Sequence, residues 1–346
     1  MRPRPTVRLR AVLRAGRVRS VAVCLVLLVF IVGSLATCGE DVSSGVSTVP
    51  GTEPTIASPV TEGLPATEDG LDTEGGLDTE TGPLPETGLI AEIVVVSTEG
   101  GGSVAGSSWV PGAVTVTVLY DNTVALPGTR ADWGFACLVT GFEQTVLFDT
   151  GADGGILTSN MEVLQIVPQD LDVVVLSHEH GDHIGGLGAI VAQNPDITVY
   201  HPSSFSERST AAAREAGATL VPVEGAVSPG EGLTVTAPTG SPKESALLLE
   251  TAQGQVLVVG CAHPGVVEMV KAASDLTGRP VLAVLGGFHL LSHSVGEVDR
   301  IIQSLRGLGV ERCGPAHCTG EAAIARLQDA FGDGAIEMGV GSRVTF

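Results

Sequence analysis

Apolar and polar residues change their spacing along the chain, and from residue 112 onward the spacing predicts regular structure. Ala113 to Tyr120 alternate with a period near two, which is typical of a β-strand with one buried face. Further strands are predicted at 135–139, 145–148, 173–176, 198–200, 219–223, 233–237, 246–250, 255–259 and 281–285. Helices are predicted at 185–193, 206–216, 264–276, 295–308 and 321–331. Strands in succession followed by mixed strands and helices predict an α/β fold, a two-sheet sandwich with outer helices.

The first 37 residues have a different pattern, that of a leader. Arginines are frequent up to Arg19, Val21 to Val32 is an unbroken apolar run, and small residues lead to Cys38. This order is typical of an export signal, and Leu-Ala-Thr-Cys resembles a bacterial lipoprotein cleavage box with Cys38 as the lipidated residue. The alternative is an uncleaved signal anchor, although residues 21–37 are short for a membrane span of about 20 residues. Either way, we expect the rest of the chain at the outer face of the cytoplasmic membrane.

Residues 38–111 are predicted to be an acidic, low-complexity tether. Gly, Thr, Glu, Asp, Pro and Ser dominate, and the segment Gly-Leu-Asp-Thr-Glu occurs at 70–74 and again at 76–80. Such a composition buries too little apolar surface to offset the entropy of the chain. The sequence therefore predicts one folded domain, residues 112–346, behind a leader and a disordered tether.

Charge argues against one class of partner. The chain carries a net charge of −21, and seven of its 18 basic residues lie in the leader. Removal of the leader would leave 11 basic against 39 acidic residues, a net charge of −28. Because such a body repels phosphate backbones, and only 3% of the residues are aromatic, no nucleic-acid partner is expected. A small-molecule substrate is expected instead.

Candidate chemistry concentrates directly after the apolar strand at 173–176. Three histidines and an aspartate occupy six positions there, His178, His180, Asp182 and His183. Imidazole and carboxylate are ligands for zinc, iron or manganese. On an extended loop, His178 and His180 can point to the same side, whereas Asp182 and His183 can serve a second metal. Gly185 and Gly186 would let the following helix pack closely.

The pattern H-x-H-x-D-H after a buried strand, with Asp149-Thr150-Gly151 upstream, resembles the metallo-β-lactamase superfamily. Motifs around Tyr120, Cys261, His289 and His317 further resemble its dihydropterin–aminobenzene-ribofuranosyl-phosphate synthase branch. The resemblance covers about residues 113–346 and implies an αββα sandwich with a metal site at one edge, holding one or two divalent ions, with zinc expected first.

The resemblance also implies roles for individual residues. His178, His180 and His263 would hold one metal, and Asp182, His183 and His317 the other. Asp149 would hydrogen-bond to a ligand imidazole or hold the loop in place. The alternative is a carboxylate that only stabilises the turn at the end of its strand. Asp182 and His289 are the candidate catalytic residues, with His289 as a proton donor or oxyanion contact; a structural His289 is the alternative.

One position departs from the commonest pattern of the superfamily. Cys261 stands where most members have a bridging aspartate, and the turn at 241–245 lacks the usual histidine. As a thiolate, Cys261 could ligate a metal; as a thiol, it would only line the site, and the second metal would bind more weakly.

Glu244, in the turn at 241–245, is a candidate acid at the edge of the site. His201, His293 and Glu179 are expected at the surface, and a Cys313–Cys318 disulfide is a further alternative.

Three functions remain open from the sequence. The first is an exported, lipid-anchored hydrolase in which a metal-bound hydroxide attacks a small ester, phosphoester, lactone or amide. The second is a transferase like the synthase branch, although an exported protein would not meet that pathway's cytoplasmic intermediates. The third is a lipid-anchored protein that uses the metal site only for binding.

Overall fold

Two β-sheets form the centre of the computed structural model, which describes residues 112–346. The first sheet runs in the order β13-β1-β2-β3-β4-β5-β6. These strands are β1 Thr115–Tyr120, β2 Ala136–Thr140, β3 Val146–Phe148, β4 Val173–Val175, β5 Thr198–Pro202, β6 Thr219–Val223 and β13 Arg343–Thr345. β3 to β6 are parallel to one another, whereas β1 pairs antiparallel with β2 and β13.

The second sheet runs in the order β12-β11-β10-β9-β8-β7. Its strands are β7 Val227–Gly230, β8 Leu233–Val235, β9 Leu247–Glu250, β10 Gln255–Val259, β11 Val281–Gly287 and β12 Arg312–Ala316. β10, β11 and β12 are parallel, so their carboxyl ends meet at one edge of the sheet.

Helices cover the outer faces of both sheets. The first half of the described chain contains four helices: α1 Gly154–Val163, α2 Gly181–Ile184, α3 Leu187–Val191 and α4 Ala211–Ala216. The second half contains three: α5 Val266–Thr277, α6 Val295–Gly307 and α7 Glu321–Phe331. α6 begins with a capping box, because Ser294 and Glu297 satisfy each other's backbone N–H groups.

Three apolar layers hold this arrangement together. On β4, Val173 and Val175 face the core between the sheets, whereas Val174, and Leu176 directly after the strand, pack beneath the helices of the first half. Both faces of the strand are therefore buried, which explains its continuous apolar run. A third cluster packs α5, α6 and α7 against the second sheet. Full burial of each such aliphatic side chain contributes about 1.5–3 kcal/mol.

The predicted two-sheet sandwich with outer helices is confirmed, with differences in detail. Helices α1 and α2 and strands β7, β12 and β13 were not predicted; Asp182 and His183, expected on a loop, lie in α2. The helix predicted at 206–216 begins only at Ala211, because Ser206 and Ser209 hydrogen-bond to Glu179 and hold the preceding residues in turns. The predicted leader, Cys38 and tether lie outside the described residues. Within residues 112–346, no helix is long and apolar enough to cross a membrane.

Candidate metal centre

The predicted site residues come together where parallel strands of both sheets end. Asp149 follows β3, His178 follows β4, Cys261 and His263 follow β10, and His289 and His317 follow β11 and β12. Several connections turn sharply, with positive φ angles of 56° at Asp149, 54° at Ala262, 54° at His289 and 47° at His317. Non-glycine residues rarely adopt this conformation, and such residues cluster at functional sites.

The first triad consists of His178, His180 and His263. Each offers a ring nitrogen, and these three atoms lie within 4.8 Å of one another. The ring centroids are 4.7 Å apart for His178 and His180, and 4.8 Å apart for His178 and His263. Three imidazoles at this separation suit a tetrahedral ion with one open position.

The second triad consists of Asp182, His183 and His317, whose donor atoms also lie within 4.8 Å of one another. His317 Nε2 is 3.2 Å from Asp182 Oδ2, and His183 Nε2 is 3.9 Å from the same oxygen. The two triads adjoin, since the rings of His178 and His183 are 4.2 Å apart at their centroids. The structure thus groups the six residues as the sequence analysis proposed.

Unpartnered nitrogen atoms show that these side chains fit a metal. His178 Nε2, His263 Nε2 and His317 Nε2 are buried and make no hydrogen bond within residues 112–346. Leaving a buried polar atom unpaired costs about 1–3 kcal/mol, so these atoms, two in the first triad and one in the second, need a compensating ligand. A divalent ion that accepts the lone pairs of these neutral imidazoles would supply that compensation.

Asp149 supports the site from behind and is fully buried. Its Oδ2 lies 2.7 Å from His183 Nδ1 and accepts a hydrogen bond from Ser177 Oγ at 2.7 Å, and Ser177 Oγ is 2.9 Å from His178 Nδ1. One carboxylate therefore orients one histidine of each triad, directly for His183 and through Ser177 for His178. Such partners fix the tautomer and raise the basicity of a ligand.

Close backbone packing holds the loop that carries the motif. A Cβ at Gly185 would lie 2.0 Å from Ala152 O, and one at Gly186 would lie 2.2 Å from Thr150 O. Only glycine permits this approach, in agreement with the close packing predicted for these two positions.

Cys261 lies among the candidate ligands, with its Sγ 3.1 Å from His183 Nε2. It also groups with Cys318 and His289, and the three donor atoms lie within 4.8 Å of one another. The neighbouring Cys318 and burial raise the pKa of Cys261 far above its usual value, which favours the protonated thiol. Cys313 and Cys318 are both free, so the disulfide alternative is wrong.

Two placements from the sequence are wrong. Glu244 is not an acid at the edge of the site: it is fully buried, because its carboxylate is enclosed by the turn after β10. Its Oε1 accepts hydrogen bonds from the N–H groups of residues 260, 261 and 262, and its Oε2 from the N–H of His263 at 2.8 Å. His201 is also buried, packed against Phe205 with Nδ1 2.9 Å from Pro202 O. His293 and Glu179 are exposed, as predicted.

Besides Ser177, sequence reasoning missed Trp133. Its Nε1–H donates a hydrogen bond to Asp182 Oδ2 at 2.9 Å, and its ring centroid is 4.8 Å from that of His317. The sequence shows only a tryptophan in a polar loop. Its position along the chain does not indicate that it contacts the histidine motif. His289 is exposed, and its ring centroid is 4.6 Å from that of His263.

Burial and neighbouring charges prepare these groups to be ligands. Burial and His183 lower the pKa of His178 far below its usual value, and burial and His289 lower that of His263 to about 4. Burial would raise the pKa of Asp182, but His317 and His183 hold it well below its usual range. His178 and His263 are thus neutral imidazoles and Asp182 is a carboxylate at neutral pH, the forms that bind metal. Burial would lower the pKa of His183, but the Asp149 carboxylate raises it.

Comparison with known proteins agrees with this geometry. The sequence profile of the metallo-beta-lactamase superfamily matches residues 134–317, just over half of the chain. The chain therefore belongs to the metallo-beta-lactamase superfamily.

Individual relatives are similar to this chain over much of its length. It is similar to the 7,8-dihydropterin-6-methyl-4-(beta-D-ribofuranosyl)-aminobenzene-5'-phosphate synthase of Methanocaldococcus jannaschii, at 29% identity over 55% of this chain and 81% of the relative. Among solved structures, a metal-dependent hydrolase of the beta-lactamase superfamily aligns with a TM-score of 0.56 and 25% identity, covering 67% of this chain and 98% of that one. The metallo-beta-lactamase fold protein YhfI from Bacillus subtilis aligns with a TM-score of 0.52 and 14% identity, over 68% and 99%. The resemblance inferred from the motifs is confirmed.

Proposed function

We propose that this chain is a metal-dependent hydrolase that acts on a small ester, phosphoester, lactone or amide. The observation that carries the proposal is the pair of adjoining triads with their unpartnered imidazole nitrogens. Divalent ions held there would lower the pKa of water and polarise the group under attack. Zinc suits the nitrogen-rich donor set best, and iron and manganese are alternatives.

Each side chain of the site has its own proposed role. His178, His180 and His263 would hold one ion and Asp182, His183 and His317 the other, while Asp149 keeps His183 oriented. Trp133 holds the Asp182 carboxylate by its N–H group. His289 is exposed and lies beside His263. It would donate a proton to a leaving group or contact a developing oxyanion.

Chelation and substitution test this proposal together. The purified protein should hydrolyse at least one member of a screen of esters, lactones, phosphodiesters, phosphonates and β-lactams, and lose that activity with a chelator. His263→Ala should lose the activity, whereas Glu179→Gln, an exposed position inside the same motif, should keep it. A chelator-insensitive activity, or one that persists in His263→Ala, would contradict the proposal.

The similarity to the synthase keeps a transferase as a second candidate. The relative is 29% identical over 55% of this chain and 81% of its own length, and the Cys-x-His arrangement after β10 resembles the synthase branch. Formation of a product from a dihydropterin and an aminobenzene ribosyl phosphate, without hydrolysis in the screen, would favour it. Metal binding with neither activity would favour a binding protein.

The location is proposed from the sequence of the leader. A lipid on Cys38 would anchor the chain to the outer face of the cytoplasmic membrane, because multiple acyl chains bind stably where one binds marginally. Cys38→Ser should release or mislocalise the protein. Mass spectrometry that finds an intact Met1, or an unmodified Cys38 in the membrane fraction, would contradict the anchor.

A further inference from the structure

A cavity of about 480 Å³ lies directly beside the second triad. His317 and Trp133 form part of its wall, so a group bound in it would touch the candidate metal ligands. This volume is within the range of roughly 300–1,000 Å³ that small-molecule sites occupy. A larger groove of about 680 Å³ beside α1 includes none of the donor residues and is not adjacent to the chemistry.

Most of the cavity wall is apolar. Leu290, Leu291 and Ile324 contribute aliphatic side chains, and Trp133 contributes an aromatic face. Leu291 is 67% exposed and Trp133 48% exposed, although both are large apolar side chains next to the candidate site. Large apolar groups exposed around a concave site indicate a ligand that covers them.

Away from the candidate metal ligands, where bound ions would supply positive charge, the cavity wall does not favour an anionic ligand. Among the described residues that line it, none is a lysine or an arginine, and two are acidic, Asp121 and Glu321. Asp121 is already engaged, accepting hydrogen bonds from the N–H of His317 and from Thr123 Oγ1. α7 begins at this wall with a partial positive charge of roughly 0.5, but Glu321 in its first turn offsets it.

Trp133 is a fixed part of this wall. Its N–H bond to Asp182 and its contact with the His317 ring set the plane of the indole. An aromatic face held in this way binds apolar groups at a low cost in side-chain entropy.

From these observations we infer that the cavity binds an uncharged acyl or aryl portion of the substrate. Resting on the proposed hydrolase function, this inference narrows the substrate to a carboxylic ester, lactone or amide with an apolar substituent, in preference to a phosphoester. The metal centre would act on the carbonyl group, while the cavity selects the chain attached to it.

A series of esters that share one alcohol tests the selectivity. From acetyl to butyryl to octanoyl, kcat/KM should rise about two- to fourfold per methylene until the cavity is filled. Leu291→Lys should reduce the ratio of octanoyl to acetyl kcat/KM about fivefold or more. Val163→Lys, an exposed residue outside the cavity, should leave that ratio as it is. A flat series, or a higher kcat/KM for a phosphodiester, would overturn the inference.

Binding can be measured without turnover. The chain has two tryptophans, so Trp109→Phe in the full-length protein leaves Trp133 as the sole indole fluorophore. Titration with 2-decanone, an uncharged ketone, should change this fluorescence saturably, and Leu291→Lys should weaken the binding. Absence of a saturable change would overturn the cavity assignment. Ketone binding without any chelator-sensitive hydrolysis would contradict the proposed function and leave the cavity assignment standing.

Discussion

The sharpest prediction concerns Glu244, because its buried carboxylate holds the whole loop that carries Cys261 and His263. Its two oxygens accept four backbone N–H groups at 2.8–3.1 Å. Burial raises the pKa of Glu244, but these four donors favour its ionised form, since every one of them needs an acceptor. Glu244→Gln preserves the shape of the side chain and removes the charge and one acceptor.

The cost follows from these contacts. In the variant, the amide oxygen can still accept from residues 260–262, but the amide N–H₂ then faces the N–H of His263. A hydrogen bond to a charged group contributes about 1.5–3 kcal/mol, and an unpaired buried N–H costs about 1–3 kcal/mol. Because the loop can relax in part, we expect the free energy of unfolding to fall by about 2–4 kcal/mol. Displacement of His263 should also weaken metal binding about 10–100-fold.

Urea denaturation of the metal-free protein and competition with a chelator measure the two effects separately. Glu250→Gln is the matched control: Glu250 pairs with Arg279, whose side chain is 55% exposed, and accepts a hydrogen bond from Gln255 Nε2 that a glutamine amide oxygen can still accept. This variant should therefore lose at most about 1 kcal/mol and keep its metal affinity. If Glu244→Gln behaved like Glu250→Gln in both assays, the positioning role of Glu244 would be refuted.

Three further predictions concern the metal centre. Cys261→Asp should raise occupancy of the second metal position in a titration of metal-free protein, because it restores an anionic ligand; two equally tight sites in the wild type would contradict this. Asp149→Asn should weaken metal binding about 10–100-fold, as measured by competition with a chelator, because His183 loses its carboxylate partner. Unchanged affinity would show that Asp149 only stabilises the turn after β3. The zinc affinity of the first triad should fall little between pH 7.5 and 6, because the lowered pKa values of His178 and His263 keep both imidazoles neutral; a steep loss of that affinity near pH 6.5 would contradict this.

Much of the fold was predictable because the central strands are apolar on both faces or alternate cleanly. The β6 and β10 ranges agree with the structure at both ends, and so does α7. The missed elements lack such a signal. Strand β12 contains Gly314 and Pro315, residues that disfavour strands, and it exists because it pairs with β11. Helix α1 begins with two glycines and shows no strong apolar face, so tertiary packing and the Asp153 cap determine it.

The candidate site divides in the same way. The donors of one motif, His178 to His183, were identifiable from local spacing, and the resemblance supplied His263 and His317. Trp133 and Glu244 act through contacts between distant segments, Trp133 with Asp182 and Glu244 with the turn at 260–263. No local pattern encodes such contacts, so only the folded structure could identify Trp133 and correct the role of Glu244, which the sequence suggested as an acid at the edge of the site.

Metal analysis of the purified full-length protein tests the central claim most directly. The wild type should contain at least one tightly bound divalent ion per chain. His180→Ala and His263→Ala should each lose the ion of the first triad, and Glu179→Gln should retain it. If the wild type binds no metal after incubation with zinc, iron and manganese, or if His180→Ala keeps the wild-type stoichiometry, the two triads are not a metal centre.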